Sequence, residues 1–196
     1  MQESLARHDQ ILRRAIETNG GYVFKTVGDA FCGAFHTAMD GLNAALQAQL
    51  EIRKEIWDSR TPIRVRMALH TGEAVERNND YYGPALNRTA RLESIGYGGQ
   101  TLVSLVSAEL VRDMLPDEVG LKEMGQRRLK DLTRPEAVYQ LTHPDLEPDF
   151  PPLKSIDRHP HNLPVQPTPL IGREKIIEKL ITTLTTGGSR LVTLTG

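Results

Sequence analysis

The sequence predicts a mixed α/β or α+β fold built around one mainly antiparallel sheet, and three observations predict it. Segments with helical and with strand periodicity alternate along the first 142 residues. Two short β-prone runs flank a Gly28-Asp29 dipeptide, which is a hairpin signal. Apolar residues make up 39% of the chain and charged residues 25%, the mixture of a globular protein able to bury a core.

Each element follows from its own residues. Leu5, Ile11, Leu12, Ala15 and Ile16 stand among Arg, Glu and His over residues 3 to 18, and Asn19-Gly20-Gly21 supplies a stop, so an amphipathic helix is expected. Tyr22 to Val27 and Ala30 to Phe35 are the arms of the expected hairpin. From Thr37 to Trp57, Ala38, Leu42, Ala45, Ile52 and Ile56 recur near the 3.6-residue period of a helix resting on a sheet. Between Ile63 and Leu69 the larger apolar side chains take odd positions and Arg64 and Arg66 even ones, as in a half-buried strand. Pro84 suits the first turn of a further helix and Gly96 its end. Gln100 to Val106 reads as a strand, and Lys122 to Leu132 and Ala137 to Leu141 as a last pair broken by Thr133-Arg134-Pro135.

Eight of the twelve prolines fall between His143 and Pro169, a density that favours stiff, extended backbone and marks a linker. Gly172 to Leu184 then reads as a helix, and Leu191 to Leu194 as a β-prone run reaching Thr195-Gly196. His159 and His161 in the linker have no third ligand nearby and read as solvated rather than metal-binding.

Composition narrows the function classes. A formal net charge of −1 leaves no cationic surplus for a phosphate backbone, so nucleic-acid binding by this segment is not supported. Cys32 is the single cysteine and cannot form an intramolecular disulfide, and the first residues hold no apolar run of the signal-peptide kind, so a cytoplasmic setting is expected. No stretch approaches the roughly 20 apolar residues that cross a bilayer, so no membrane segment is expected here.

Two clusters carry candidate chemistry. Phe24-Lys25-Thr26-Val27-Gly28-Asp29 puts a carboxylate in a tight turn with a lysine four residues upstream, although Gly-Asp alone is an ordinary turn. Asp80-Tyr81-Tyr82-Gly83-Pro84-Ala85-Leu86-Asn87-Arg88-Thr89-Ala90-Arg91 places Asn87 and Arg91 at i and i+4, on one helix face. That face suits a sugar and a phosphate; the plainer reading is an exposed helix surface.

Together with Leu69-His70-Thr71-Gly72-Glu73 between them, these stretches resemble, in order and spacing, the catalytic domain of class III adenylyl and guanylyl cyclases over about residues 1–142. Arg128-Leu129-Lys130-Asp131-Leu132 and Val138-Tyr139-Gln140-Leu141 are similar to the closing segments of its bacterial branch. The resemblance implies an α+β, ferredoxin-like fold with a mainly antiparallel sheet, and conversion of ATP to 3′,5′-cyclic AMP and pyrophosphate by a homodimer. It implies Mg²⁺ (or Mn²⁺) held by two aspartates, of which Asp29 matches the second. Asn87 matches the residue that orients the ribose and Arg91 the one that stabilises the transferring phosphoryl group. Lys25 and Asp80 match the pair that reads the purine; one cationic donor and one carboxylate acceptor complement adenine. Lys130 is a looser match to a triphosphate contact, and His70 and Glu73 are assigned to the fold.

No Phe-Thr-Asp-like segment, which carries the family's first strand and first metal aspartate, precedes Met1, so the polypeptide by itself is expected to have negligible cyclase activity. Pro169-Leu170-Ile171-Gly172-Arg173-Glu174 followed by Leu191 to Gly196 looks like the opening of a STAND-type ATPase, with Gly196 as the first glycine of its phosphate-binding loop. The expected organisation is therefore a cyclase domain over 1–142, a linker over 143–169 and a tethered ATPase beginning at 170. The alternative is a catalytically silent nucleotide-binding or dimerisation module that regulates this neighbour.

Overall fold

The computed structural model describes residues 2–57, 62–130, 132, 134–155 and 174–186. Helix α1 (Gln2–Thr18) is followed by a hairpin of β1 (Tyr22–Val27) and β2 (Ala30–Ala34), then by α2 (Ala38–Lys54) and β3 (Met67–Leu69). A second hairpin, β4 (Val75–Arg77) and β5 (Asp80–Tyr82), runs into α3 (Pro84–Ser94); then come β6 (Thr101–Ser104), α4 (Leu105–Val111), β7 (Gly120–Arg127) and β8 (Glu136–Thr142). Contacts divide the chain into two compact units, residues 1–159 and 160–196; the described part of the second contains helix α5 (Glu174–Thr185).

The central sheet has the order β3-β6-β8-β7. β3 pairs with β6 in parallel, Ala68 opposite Leu102, while β6–β8 and β7–β8 are antiparallel. The two hairpins are also antiparallel, so the fold is α+β with mainly antiparallel pairing.

Both faces of the sheet are covered, because alternate residues of a strand point to opposite sides. Val103 on β6 and Ala137, Tyr139 and Leu141 on β8 join Leu42 of α2 and Ala108 and Val111 of α4 on one side. Leu102 and Val138, one position out of phase, join Leu92, Ile95, Leu129 and Leu153 on the other. A third cluster packs Ile11, Leu12 and Ala15 of α1 against Ala48 and Ile52 of α2. Two buried amides are satisfied in series: Gln100 Nε2 donates to Gln140 Oε1 at 2.8 Å, and Gln140 Nε2 donates to the Pro148 carbonyl at 3.1 Å.

The helix ends follow their capping residues. Gly20 adopts φ 71°, and Gly21 N–H donates to the Ile16 carbonyl at 2.9 Å, closing α1 where Asn19-Gly20-Gly21 predicts. Thr37 caps α2 by accepting from Asp40 N–H at 3.1 Å.

Several elements differ from expectation. Pairing in the Ile63 to Leu69 run is limited to Met67–Leu69, although Ile63 and Val65 are half-buried and Arg64 and Arg66 exposed, as the alternation requires. The strand expected through Val106 stops at Ser104, where α4 begins; Ser104 is the N-cap, and Ser107, Ala108 and Val111 are the buried side of the new helix. β7 ends at Arg127, five residues short of the expected strand, with a register shift between Glu123 and Gln126 where Gly125 takes φ 79°.

Residues 143–155 carry no helix or strand, and they pack on the first unit. Leu146 and Leu153 are buried, Lys154 N–H donates to the Ile95 carbonyl at 2.9 Å, and Tyr97 donates to the Pro152 carbonyl at 2.9 Å. His159, His161, the segment from Pro169 to Arg173 and Leu191 to Gly196 lie outside the described residues, as do Asp131 and Thr133. Among the described residues, no helix is long and apolar enough to cross a membrane.

Candidate active site

Two of the candidate residues, Lys25 and Asp80, meet where the two hairpins touch. In the first, Gly28 at φ 62° supplies the positive φ that a two-residue turn favours, and Asp29 beside it is exposed at the tip. In the second, Arg77 pairs with Asp80 across Asn78 and Asn79, whose φ values of 55° and 57° make a left-handed two-residue turn. Asparagine tolerates this region better than most residues.

An edge-on aromatic contact joins the hairpins, the Phe24 and Tyr81 rings lying 5.0 Å apart at 72°. Their sequence neighbours meet as well: Lys25 Nζ donates to Asp80 Oδ2 at 2.5 Å. The second carboxylate oxygen, Oδ1, accepts from Tyr81 N–H at 2.8 Å. Lys25 Nζ also lies 6.0 Å from the centroid of the Tyr82 ring. The hydrogen bond to Lys25 holds the Asp80 carboxyl below its ordinary value, and the same bond raises Lys25. Both groups are therefore charged across the neutral range. Cys32, opposite Lys25 in the β1–β2 ladder, has its thiol pushed up by burial, which favours the protonated form.

The carboxylate of Asp80 leads directly into helix α3. Gly83 at φ 138° makes the corner and Pro84 opens the helix, whose i, i+4 spacing sets the exposed Asn87 and the half-buried Arg91 one turn apart. Between them Arg88 pairs with Glu136 at 3.1 Å, tying the helix to β8, and Leu92 is buried beneath it. The structure thus brings Lys25 and Asp80 into contact and carries Asn87 and Arg91 on one helix. Asp29 and Lys130 stand on separate exposed turns.

Beside the hairpin corner lies a cavity of about 440 Å³, whose lining includes His70, Gly72, Glu73, Tyr82, Gly83 and Arg88. His70 Nδ1 bonds Ser104 Oγ at 2.8 Å, and Thr71 Oγ1 bonds Ser107 Oγ at 2.9 Å, pinning the loop after β3 to the start of α4. Burial, then the nearby Arg88 charge, holds His70 below its ordinary value. These contacts give His70 a structural place, as expected from the sequence.

A hard divalent cation suits Asp29, because Mg²⁺ commonly takes one or two carboxylates and completes its shell with water and phosphate oxygens. Among the described residues no three His, Cys, Asp or Glu side chains converge.

Spacing arguments pass over three side chains that shape this corner: Phe24, Tyr81 and Tyr82. The signal for them is the Asn78-Asn79 pair between Val75-Glu76-Arg77 and Asp80-Tyr81-Tyr82, a two-residue turn flanked by β-prone residues.

Comparisons with known proteins place the chain. An uncharacterized protein of Mycobacterium tuberculosis is 40% identical over 176 residues, covering 88% of this chain and 59% of the relative. The chain therefore spans less than two thirds of that protein's length. An adenylate/guanylate cyclase/hydrolase structure from Silicibacter pomeroyi superposes with a TM-score of 0.61 at 30% identity, covering 71% of this chain and 84% of the other. The adenylate cyclase of Trypanosoma brucei in its monomeric state shares the fold, with a TM-score of 0.67 at 23% identity over 80% of this chain and 85% of that one. Residues 1–142 match the adenylate and guanylate cyclase catalytic domain, and the chain belongs to that family.

Proposed function

We propose that this domain is an adenylyl cyclase that converts ATP to 3′,5′-cyclic AMP and pyrophosphate at a site shared between two copies of the chain. The observation that carries the choice of ATP is the Lys25–Asp80 pair, which offers one cationic donor and one carboxylate acceptor at a single place. Adenine presents an acceptor at N1 and donors at N6, whereas guanine presents the opposite pattern at those positions. A site of this kind discriminates by leaving its own polar groups unpaired when the wrong base covers them.

In this reading Asn87 orients the ribose so that its 3′-hydroxyl faces the α-phosphorus. The 3′ oxygen forms the new P–O bond and gives up its proton to solvent as the bond to the bridging oxygen of the β-phosphate breaks, and pyrophosphate leaves with that oxygen. Arg91 stabilises the charge that spreads over the phosphoryl oxygens, a role worth on the order of 10³-fold or more. Asp29 would hold a divalent ion, Mg²⁺ or Mn²⁺, which when bound supplies neutralisation of the phosphates and activation of the hydroxyl. Lys130 is offered to the triphosphate.

Asp29 of one copy serves the site to which the other copy contributes Lys25, Asp80, Asn87 and Arg91. Dimerisation is then required for turnover. The domain would act in signalling within a longer protein, tethered through residues 143–169 to an ATPase beginning near residue 170. The test is product analysis with the full-length protein that carries this chain. With Mg²⁺ or Mn²⁺ it should release cyclic AMP from ATP and little cyclic GMP from GTP; equal products, or none from ATP, would refute the reading.

A further inference from the structure

The Lys25–Asp80 pair is closed on itself, Nζ to Oδ2 at 2.5 Å. Two groups so satisfied read a third partner only if each keeps a second support when the base arrives. Otherwise the loss of their mutual bond offsets what the base supplies. One support for Asp80 is on its own strand, the Tyr81 N–H at 2.8 Å to Oδ1. The other candidate is Tyr82.

Tyr82 follows Asp80 by two residues on β5, so the two side chains leave the strand on the same side, while Tyr81 turns the opposite way toward Phe24. The Tyr82 ring centroid is 6.0 Å from Lys25 Nζ, within the range at which an aromatic face attracts an ammonium group. Beside that geometry, the Tyr82 hydroxyl also acts to hold the Asp80 carboxyl below its ordinary value, after the larger effects of Lys25 and the Tyr81 N–H. One residue therefore stands beside both members of the pair, facing Lys25 and sharing a strand side with Asp80.

Packing does not explain the side chain. Tyr82 remains 51% exposed, and it belongs to none of the three buried clusters, whereas Tyr81 is clamped against Phe24. An exposed aromatic on a three-residue strand contributes little to a core. Its backbone partner is the exposed Val75 on β4, and its inner edge lines the cavity beside Gly72 and Gly83.

We propose that Tyr82 is a positioning residue for the base-reading pair, its ring facing the ammonium of Lys25 and its hydroxyl bonding the carboxylate of Asp80, so that both groups keep their spacing when a purine enters. The inference rests on the assignment of Lys25 and Asp80 to the base. Without Tyr82, Asp80 keeps the Tyr81 N–H but turns more freely, and the cost falls on base recognition rather than on the phosphoryl step.

Two variants separate the contributions. Tyr82→Phe keeps the ring and removes the hydroxyl; Tyr82→Leu removes both. In the full-length protein, Tyr82→Phe should raise KM for ATP roughly three- to tenfold, the size of one hydrogen bond, and leave kcat within about twofold. Tyr82→Leu should raise KM further and lower the preference for ATP over GTP. An independent arm follows the Asp80 carboxyl carbon by NMR through a pH titration of the same proteins. Its midpoint should move upward in Tyr82→Phe with thermal stability unchanged. An unmoved midpoint together with unchanged KM and base preference would overturn the proposal. If the wild-type protein turns over neither nucleotide, the function reading fails, and the titration arm still decides whether Tyr82 holds Asp80.

Discussion

Lys25 and Asp80, 55 residues apart in sequence and on different hairpins, meet in an ion pair at 2.5 Å. The bond ties the first hairpin to the turn that launches α3, and so links the Asp29 turn to the helix of Asn87 and Arg91. Both partners keep appreciable solvent contact, so the pair is expected to matter for recognition more than for folding. Lys25→Ala and Asp80→Ala should each leave the thermal midpoint nearly unchanged while reducing ATP-over-GTP selectivity by about tenfold or more, read from paired kcat/KM values. The pair also sets a pH window. Asp80 lies below its ordinary 3.8 and Lys25 above its ordinary 10.5, so its contribution is constant across the neutral range. It is lost only as pH falls through the folded value of Asp80 or rises through that of Lys25.

His70 predicts an acid-side loss of stability. Its folded pKa lies below the ordinary 6.5, chiefly through burial, so the imidazolium is disfavoured in the folded chain. Stability should therefore be full above about pH 6.5 and decline as pH falls below it, since the unfolded chain takes up the proton more readily. Denaturant midpoints measured from pH 7.5 to pH 5 should fall less steeply in His70→Gln than in the parent; parallel slopes would contradict this.

The buried amides Gln100 and Gln140 are a matched set. Gln100→Leu leaves Gln140 Oε1 without its donor inside the sheet and should cost about 1–3 kcal/mol in urea unfolding. Leu92→Ala, which opens a hole under α3, should cost about 2–5 kcal/mol.

The Asn78-Asn79 turn aims Asp80. A β-branched residue is strained at φ 55°, so Asn78→Val should destabilise the hairpin by about 1–2 kcal/mol and weaken ATP binding, whereas Asn78→Gly should be tolerated. Calorimetry and KM for ATP provide the check.

Much of the fold is legible in the sequence where one side of an element is apolar and the other is not. α1, the first hairpin, α2 and α3 appear near their expected places because their periodicity and their stops, such as Asn19-Gly20-Gly21 and Pro84, are local. The second hairpin is not legible in that way. Its strands are three residues long and β4 is exposed throughout, so no alternation marks them, and only the Asn-Asn turn gives a signal. α4 is hidden because Leu105-Val106 continues a β-prone run; the switch to helix is set by burial of Ser107, Ala108 and Val111 against the sheet.

The candidate site divides in the same way. Asn87 and Arg91 share a face by helical spacing alone, and Asp29 sits at the tip that Gly28 predicts. The meeting of Lys25 with Asp80 is a tertiary event that spacing does not contain, and the place of Tyr82 beside both depends on it.

The most direct measurement is complementation in the full-length protein. Asp29→Ala and Asn87→Ala are each expected to abolish cyclic AMP formation, and an equimolar mixture is expected to recover about a quarter of wild-type activity, since half of randomly mixed dimers carry one intact site. An inert mixture, or full activity retained by either variant alone, would contradict the composite site.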